Sequence, residues 1–187
     1  MTGDDYVGGL VGYGWNGTIT NSYATGSVTG TDYVGGLVGY DDGGAITNSY
    51  AIGSITGDAD TGGLVGVSDG STVTNSYWDK ETTGQTTSDG SDDSYGKTIA
   101  EMKTQSTYEP GEPNNWDFDT IWAIICSINN GYPYLQWQTL PTNPCDEPGD
   151  EPGQDDPDAP TTPTTNTNTS GTTVPNMTIL PKTGQSL

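Results

Sequence analysis

The sequence predicts an all-β protein: a short parallel β-solenoid of three 27-residue coils, followed by an aromatic-rich capping segment and a disordered C-terminal tail. Three observations carry this expectation. YVGGLVGY at residues 6–13 recurs at 33–40 and, degenerate, as DTGGLVGV at 60–67. ITNSYATGSVTG at 19–30 recurs as ITNSYAIGSITG at 46–57 and as VTNSYWDKETTG at 73–84, every offset being 27 residues without insertion. Residues 6–32 and 33–59 agree at 19 of 27 aligned positions, so one structural unit is stacked on near-identical neighbours. Within each unit, short runs rich in Val, Ile, Thr and Tyr lie between Gly, Asn and Asp, a composition that favours strands and leaves a helix unstable. Two or three short strands per coil are expected.

Residues 1–84 form the repeats, and stacking gives each repeated residue a physical task. Val7, Leu10 and Ile19 should meet Val34, Leu37 and Ile46, then Leu64 and Val73, in aliphatic columns. Gly8, Gly9 and Gly12, with their counterparts at 35, 36, 39, 62, 63 and 66, suit corners that need positive φ or close backbone approach. Asn21, Asn48 and Asn75 are expected to form an amide ladder, hydrogen-bonded coil to coil, and Tyr23, Tyr50 and Tyr77 a matching aromatic ladder.

An array of coils exposes its last layer and needs a cap, which residues 85–139 are suited to supply. Thr98-Ile99-Ala100-Glu101 has capping-box spacing and predicts one short helix to about Gln105. Trp116, Phe118, Trp122, Tyr132, Tyr134 and Trp137 are expected to bury against the final coil, an aromatic sugar platform being the sharper alternative. Residues 140–179 are Pro, Thr, Asp and Gly with few apolar side chains, the composition of an extended spacer. Cys126 and Cys145, the only cysteines, could close a disulfide tying the spacer to the cap, or remain two thiols.

Composition narrows the chemistry. The chain has 25 acidic residues, 4 lysines, and neither Arg nor His, a net charge of −21. Such a surface repels phosphate backbones and disfavours nucleic acid and anionic lipid; it leaves cations, basic proteins and neutral glycans open as partners, and its plain reading is solubility. Without histidine there is no Ser-His-Asp or Cys-His pair and no H-E-x-x-H zinc helix, and the acid pairs Asp41-Asp42 and Asp92-Asp93 read as solvated loops, so an enzyme is not expected. No cofactor is expected; Asp58, Asp60 and residues 88–93 offer at most a weak calcium site, and no other metal ligands stand out. Outward threonines in Thr18-Ile19-Thr20, Ala45-Ile46-Thr47 and Thr72-Val73-Thr74 raise ice binding as a remote reading. No run of apolar residues is long enough to span a membrane.

The unit GGLVGY...I.NSYATGSV.G resembles the GLUG repeat of large bacterial surface proteins, haemagglutinin-like adhesins among them, over residues 6–84. The third copy fades after Tyr77, where Trp78-Asp79-Lys80-Glu81 replaces Ala-Thr-Gly-Ser. Leu180-Pro181-Lys182-Thr183-Gly184 resembles the L-P-x-T-G wall-anchoring signal of Gram-positive surface proteins. That resemblance implies that a sortase cuts between Thr183 and Gly184 and passes the Thr183 carbonyl to a peptidoglycan amine, Leu180 and Pro181 carrying recognition. The resemblances together imply a non-enzymatic, extracellular, wall-associated adhesin-like module binding an unidentified host protein or glycan, or alternatively a structural rod displaying another domain. Because the chain opens within a coil and its anchor lacks a membrane stop, it is expected to be a fragment of a longer protein.

Overall fold

A computed structural model describes residues 1–111 and 113–141, all within the compact unit Met1–Pro148; a second unit, Gly149–Leu187, lies outside the described residues. The first coil contains β1 (Asp5–Gly8), β2 (Val11–Trp15), β3 (Thr18–Thr20), β4 (Tyr23–Ala24) and β5 (Val28–Thr29). The second repeats them as β6 (Asp32–Gly35), β7 (Val38–Asp42), β8 (Ala45–Thr47), β9 (Tyr50–Ala51) and β10 (Ile55–Thr56). The third supplies β11 (Ala59–Gly62), β12 (Val65–Asp69), β13 (Thr72–Thr74) and β14 (Tyr77–Asp79). Strands one repeat apart pair in parallel, in sheets β1-β6-β11, β2-β7-β12, β3-β8-β13, β4-β9-β14 and β5-β10. The chain is thus a parallel all-β solenoid, with five short strands per full coil rather than two or three. The extra divisions arise where glycines and left-handed residues turn each apolar run through a corner.

The aliphatic columns form as the repeat implies. Val7 pairs in register with Val34, Ile19 with Ile46 and then Val73, and the Leu10 and Leu37 amides donate to the carbonyls of Leu37 and Leu64. Leu37, Val38, Ile46, Ala51, Leu64 and Val65 are fully buried, and Ala24 nearly so. Gly8, Gly35 and Gly62 keep φ outside the left-handed region; a Cβ at any of them would collide with the carbonyl oxygen of Val11, Val38 or Val65. Close approach across the corner, rather than positive φ, therefore requires glycine there. Left-handed backbone falls instead on Asn21, Asn48 and Asn75 (φ 47°, 48° and 47°) and on Tyr6, Tyr33 and Asp60 (φ 57°, 56° and 47°).

Trp78 ends the stack. It occupies the register position of Ala51, is fully buried, and donates its indole N–H to the Gln85 carbonyl at 2.9 Å. Residues 87–89 then lie over the third coil: the Gly63 amide donates to the Thr87 carbonyl, and the Asp89 amide to that of Val65. Asp79, also fully buried, caps the short helix α1 (Lys80–Thr83) and accepts the Tyr132 hydroxyl at 2.7 Å, fastening repeat to cap. β15 (Gly96–Lys97) pairs with β14, and α2 (Ile99–Met102) has the expected capping box on Thr98 and Glu101, ending three residues before Gln105. β16 (Trp122–Ala123) and β17 (Tyr134–Leu135) make an antiparallel pair.

The cap's aromatics do not simply sit on the final coil. They lie along the flank of the solenoid, against the tyrosine column of β4, β9 and β14. Tyr23 of the first coil donates its hydroxyl to Gln138 Oε1 at 2.7 Å, Tyr50 of the second to the Pro133 carbonyl at 2.6 Å, and Trp116 donates to the Asn75 carbonyl of the third at 2.8 Å. Tyr50, Tyr77, Tyr108, Trp116 and Trp122 form one buried cluster, whereas Trp137 is exposed.

A candidate interaction site on the tyrosine face

The ladders expected from the sequence have different chemistry in the structure. Tyr23 stacks on Tyr50 (centroids 5.1 Å apart, planes at 3°), but Tyr77 turns edge-on to Tyr108 and Tyr95. Tyr50 and Tyr77 are buried, and burial is the main cause raising both hydroxyl pKa values, that of Tyr77 to about 12. This column is packing. Asn21, Asn48 and Asn75 make no amide ladder among the described residues; each occupies a left-handed corner that Asn tolerates better than most side chains. Coil-to-coil bonding passes to the next residue: the Ser22 amide donates to Ser49 Oγ and the Ser49 amide to Ser76 Oγ, both at 3.2 Å. Each serine hydroxyl donates in turn to the Thr20, Thr47 or Thr74 carbonyl. The twice-conserved spacing of N-S in the repeat is the signal that this serine ladder offers.

Other expected sites are accounted for individually. Ser88 Oγ accepts the Leu64 and Val65 amides and Asp89 Oδ2 that of Ser68, so this loop's oxygens serve the end of the stack; no group of three His, Cys, Asp or Glu that could hold a metal occurs among the described residues. The Thr20 and Thr47 hydroxyls bond each other at 3.1 Å. Asp41 and Asp42 have opposite fates. Asp41 is buried with Oδ2 lacking a partner, and burial raises its pKa from the usual aspartate value; Asp42 accepts the Tyr13 hydroxyl at 3.2 Å. Cys126 carries no free thiol, while Cys145 and Leu180-Pro181-Lys182-Thr183-Gly184 lie outside the described residues.

A second set of tyrosines, absent from the expected ladders, supplies an exposed face. Tyr6 stacks on Tyr33 (4.8 Å, 13°) and Tyr13 on Tyr40 (5.4 Å, 12°). The two stacks meet edge to face, Tyr6 against Tyr13 at 5.7 Å and Tyr33 against Tyr40 at 5.6 Å, so all four rings form one cluster. Tyr6 is 44% exposed and Tyr13 52%, and neither lies under the cap's aromatic cluster. The Tyr40 hydroxyl donates to Asp69 Oδ2 at 3.3 Å, repeating one coil later the Tyr13–Asp42 bond. Partial desolvation followed by the Asp42 carboxylate raises the Tyr13 pKa, and desolvation followed by Asp69 does so at Tyr40, so both hydroxyls stay protonated near neutral pH. In the third coil Asp60 and Val67 take the places of Tyr33 and Tyr40, and in the first the 71% exposed Trp15 stands in register with Asp42. The face therefore grades from aromatic at the first coil to acidic at the third.

Tyrosine is a costly choice for Tyr6 and Tyr33, because a side chain with a Cβ disfavours left-handed backbone by roughly 1–2 kcal/mol. The sequence signal for this face was the pair of tyrosines bounding YVGGLVGY, masked by the intervening apolar residues that do enter the core.

Comparison with known families places the GLUG motif on residues 3–29 and again on residues 30–56. No curated protein and no solved structure matches the chain. The chain carries two GLUG repeats over residues 3–56, and its third coil stacks on them in register outside the matched segment.

Proposed function

We propose that this chain is a non-enzymatic module of a bacterial cell-surface protein, adhesin-like in action, whose tyrosine face is the binding surface. The observation that carries the reading is the four-ring cluster of Tyr6, Tyr13, Tyr33 and Tyr40, with Tyr6 and Tyr13 exposed, on a stack whose other aromatic column packs against the cap and buries Tyr50 and Tyr77. The absence of histidine and the engagement of Ser88, Asp79 and Asp89 in structural hydrogen bonds support a binding rather than a catalytic role. The Pro/Thr/Asp-rich composition of residues 140–179 and the LPKTG run at 180–184 support display on a spacer outside the cell and attachment by sortase to peptidoglycan. In that reaction the Thr183–Gly184 amide breaks and the Thr183 carbonyl forms a new amide with the wall amine.

Two experiments test this. The full chain is screened against arrays of glycans and host matrix proteins, with Y13A/Y40A beside it. A hit lost in the variant supports adhesion; uniformly negative arrays remove it in favour of a structural rod, the reading that the gap-free stacking favours. The chain is also incubated with a Gram-positive sortase and a labelled glycine peptide. A product joined after Thr183 and lost in L180A supports anchoring, and no product removes it.

A further inference from the structure

We propose that the tyrosine face takes a cationic ligand, specifically the arginine or lysine side chains of a basic peptide segment, seated on Tyr6, Tyr13, Tyr33 and Tyr40 and held by Asp42 and Asp69. This deepens the adhesive reading and rests on it.

Charge makes the first argument. No Lys or Arg occurs before Lys80, while nine aspartates do. Asp5 pairs in register with Asp32, and Asp42 with Asp69, so like charges are stacked at the inter-strand spacing of about 4.8 Å. Like charges directly opposite in a sheet are destabilising, and no basic side chain precedes Lys80, at the end of the third coil, to offset them. A cation from outside is the missing complement.

Hydrogen-bonding capacity makes the second. The Tyr13 and Tyr40 hydroxyl protons are committed to Asp42 and Asp69. What those four residues still present is acceptors: hydroxyl lone pairs, carboxylate oxygens and ring faces. A phosphate is repelled, and a sugar, which needs donors as well as acceptors at its hydroxyls, would find donors only at the Tyr6 and Tyr33 hydroxyls. Guanidinium and ammonium groups bring only donors, carry the opposite charge, and are attracted by tyrosine faces.

Backbone conformation makes the third. Tyr6 and Tyr33 hold a left-handed conformation in successive coils, whereas the third coil places there an aspartate, which tolerates it better. Strain of this kind persists where the surrounding structure enforces it and clusters at ligand sites. Its effect here is to bring both rings edge-on to Tyr40, closing the cluster.

The test is a fluorescence-anisotropy titration of the full chain with a labelled peptide of four Arg-Ser repeats, beside the same peptide with Gln or Glu in place of Arg. Saturable 1:1 binding of the arginine peptide alone is expected. Y13A/Y40A and D42N/D69N should each weaken it at least tenfold. D155N/D156N removes the same charge as the second variant elsewhere in the chain and should change binding less than twofold. Equal binding of the Gln peptide, or equal losses in D42N/D69N and D155N/D156N, overturns the proposal by reducing it to general stickiness or diffuse attraction to a polyanion. D42N/D69N keeps all four rings, so wild-type affinity in that variant overturns it even if Y13A/Y40A fails to fold. An array hit that depends on Tyr13 and Tyr40, with no response to the arginine peptide, defeats the cation assignment and leaves adhesion standing; silence in both defeats both.

Discussion

Stacked tyrosines on two faces of the same solenoid have similar spacing and do different things. Tyr23 and Tyr50 stack in β4 and β9 under a layer of cap aromatics, and their hydroxyls bond to Gln138 and the Pro133 carbonyl. Tyr6–Tyr33 and Tyr13–Tyr40 stack as closely but face outward, Tyr13 donating to Asp42 and Tyr40 to Asp69. A repeated aromatic in a solenoid is thus not a sign of core or of site by itself; what the chain later lays over it decides.

The largest effect should separate these columns. Tyr50→Ala removes a fully buried ring and leaves Asn129 Nδ2 without one of its acceptors, costing about 4 kcal/mol and lowering Tm on the order of 10 °C. Tyr13→Ala, on the open face, loses one stack and one edge contact and should lower the melting temperature by only about 3 °C. Thermal denaturation of both variants checks the contrast, and a comparable drop in Tyr13→Ala would make the exposed cluster part of the core.

The serine ladder comes next. Ser49 is fully buried, and its Oγ accepts the Ser22 amide and donates to the Thr47 carbonyl. Ser49→Ala leaves a partly buried amide unsatisfied and should cost about 2 kcal/mol in urea unfolding. Asn48→Gly, at the neighbouring left-handed corner, should cost much less, because glycine adopts φ 48° readily. An amide ladder would reverse that order.

That reversal marks how much of the molecule the sequence disclosed. The 27-residue period stated the register outright: Val7 meets Val34, Tyr23 meets Tyr50, and Ser49 bonds Ser76 across that separation. Period identifies which residues are neighbours but not which of their groups touch. Asn and Ser are adjacent in every copy, and only the backbone path assigns one to the corner and the other to the bond. The cap was legible as an aromatic concentration and one capping box, yet its path along the flank depends on contacts between residues some 80 to 115 apart, for which no repeat exists. The tyrosine face had its residues in plain view; its exposure follows from what fails to cover it.

A smaller effect concerns Asp41, buried between the outward-facing Tyr40 and Asp42 with one oxygen unpartnered. Gly14 and Ser68 hold the same register position in the adjoining coils, so Asp41→Ser copies a residue the fold already accepts. Burial raises the carboxyl pKa in the folded state, so its contribution favours folding below the unfolded pKa and is lost as pH rises through the folded one. Asp41→Ser should therefore be more stable than the parent by about 1 kcal/mol at pH 7, with the gain shrinking as pH falls below the carboxylate range. Melting curves at pH 3 and pH 7 check it; a gain that grows toward acid would contradict the assigned sign.

The smallest effect is the most informative about the exposed column. Tyr33 sits at φ 56°, where glycine has no Cβ to clash, so Tyr33→Gly relieves roughly 1 kcal/mol of backbone strain. It also loses the stack on Tyr6 and the edge contact with Tyr40, worth about the same, so net stability should barely change. Tyr33→Ala loses the rings but keeps the strain, and should be the less stable by about 1 kcal/mol, the reverse of what this pair does in most regular structure. Urea midpoints for the two variants decide it, and a more stable alanine variant would mean that the left-handed backbone costs nothing here. If the glycine variant matches the parent in stability but loses ligand, the ring at position 33 is retained for the surface it makes, in contrast to Tyr50, whose loss should cost the fold about 4 kcal/mol.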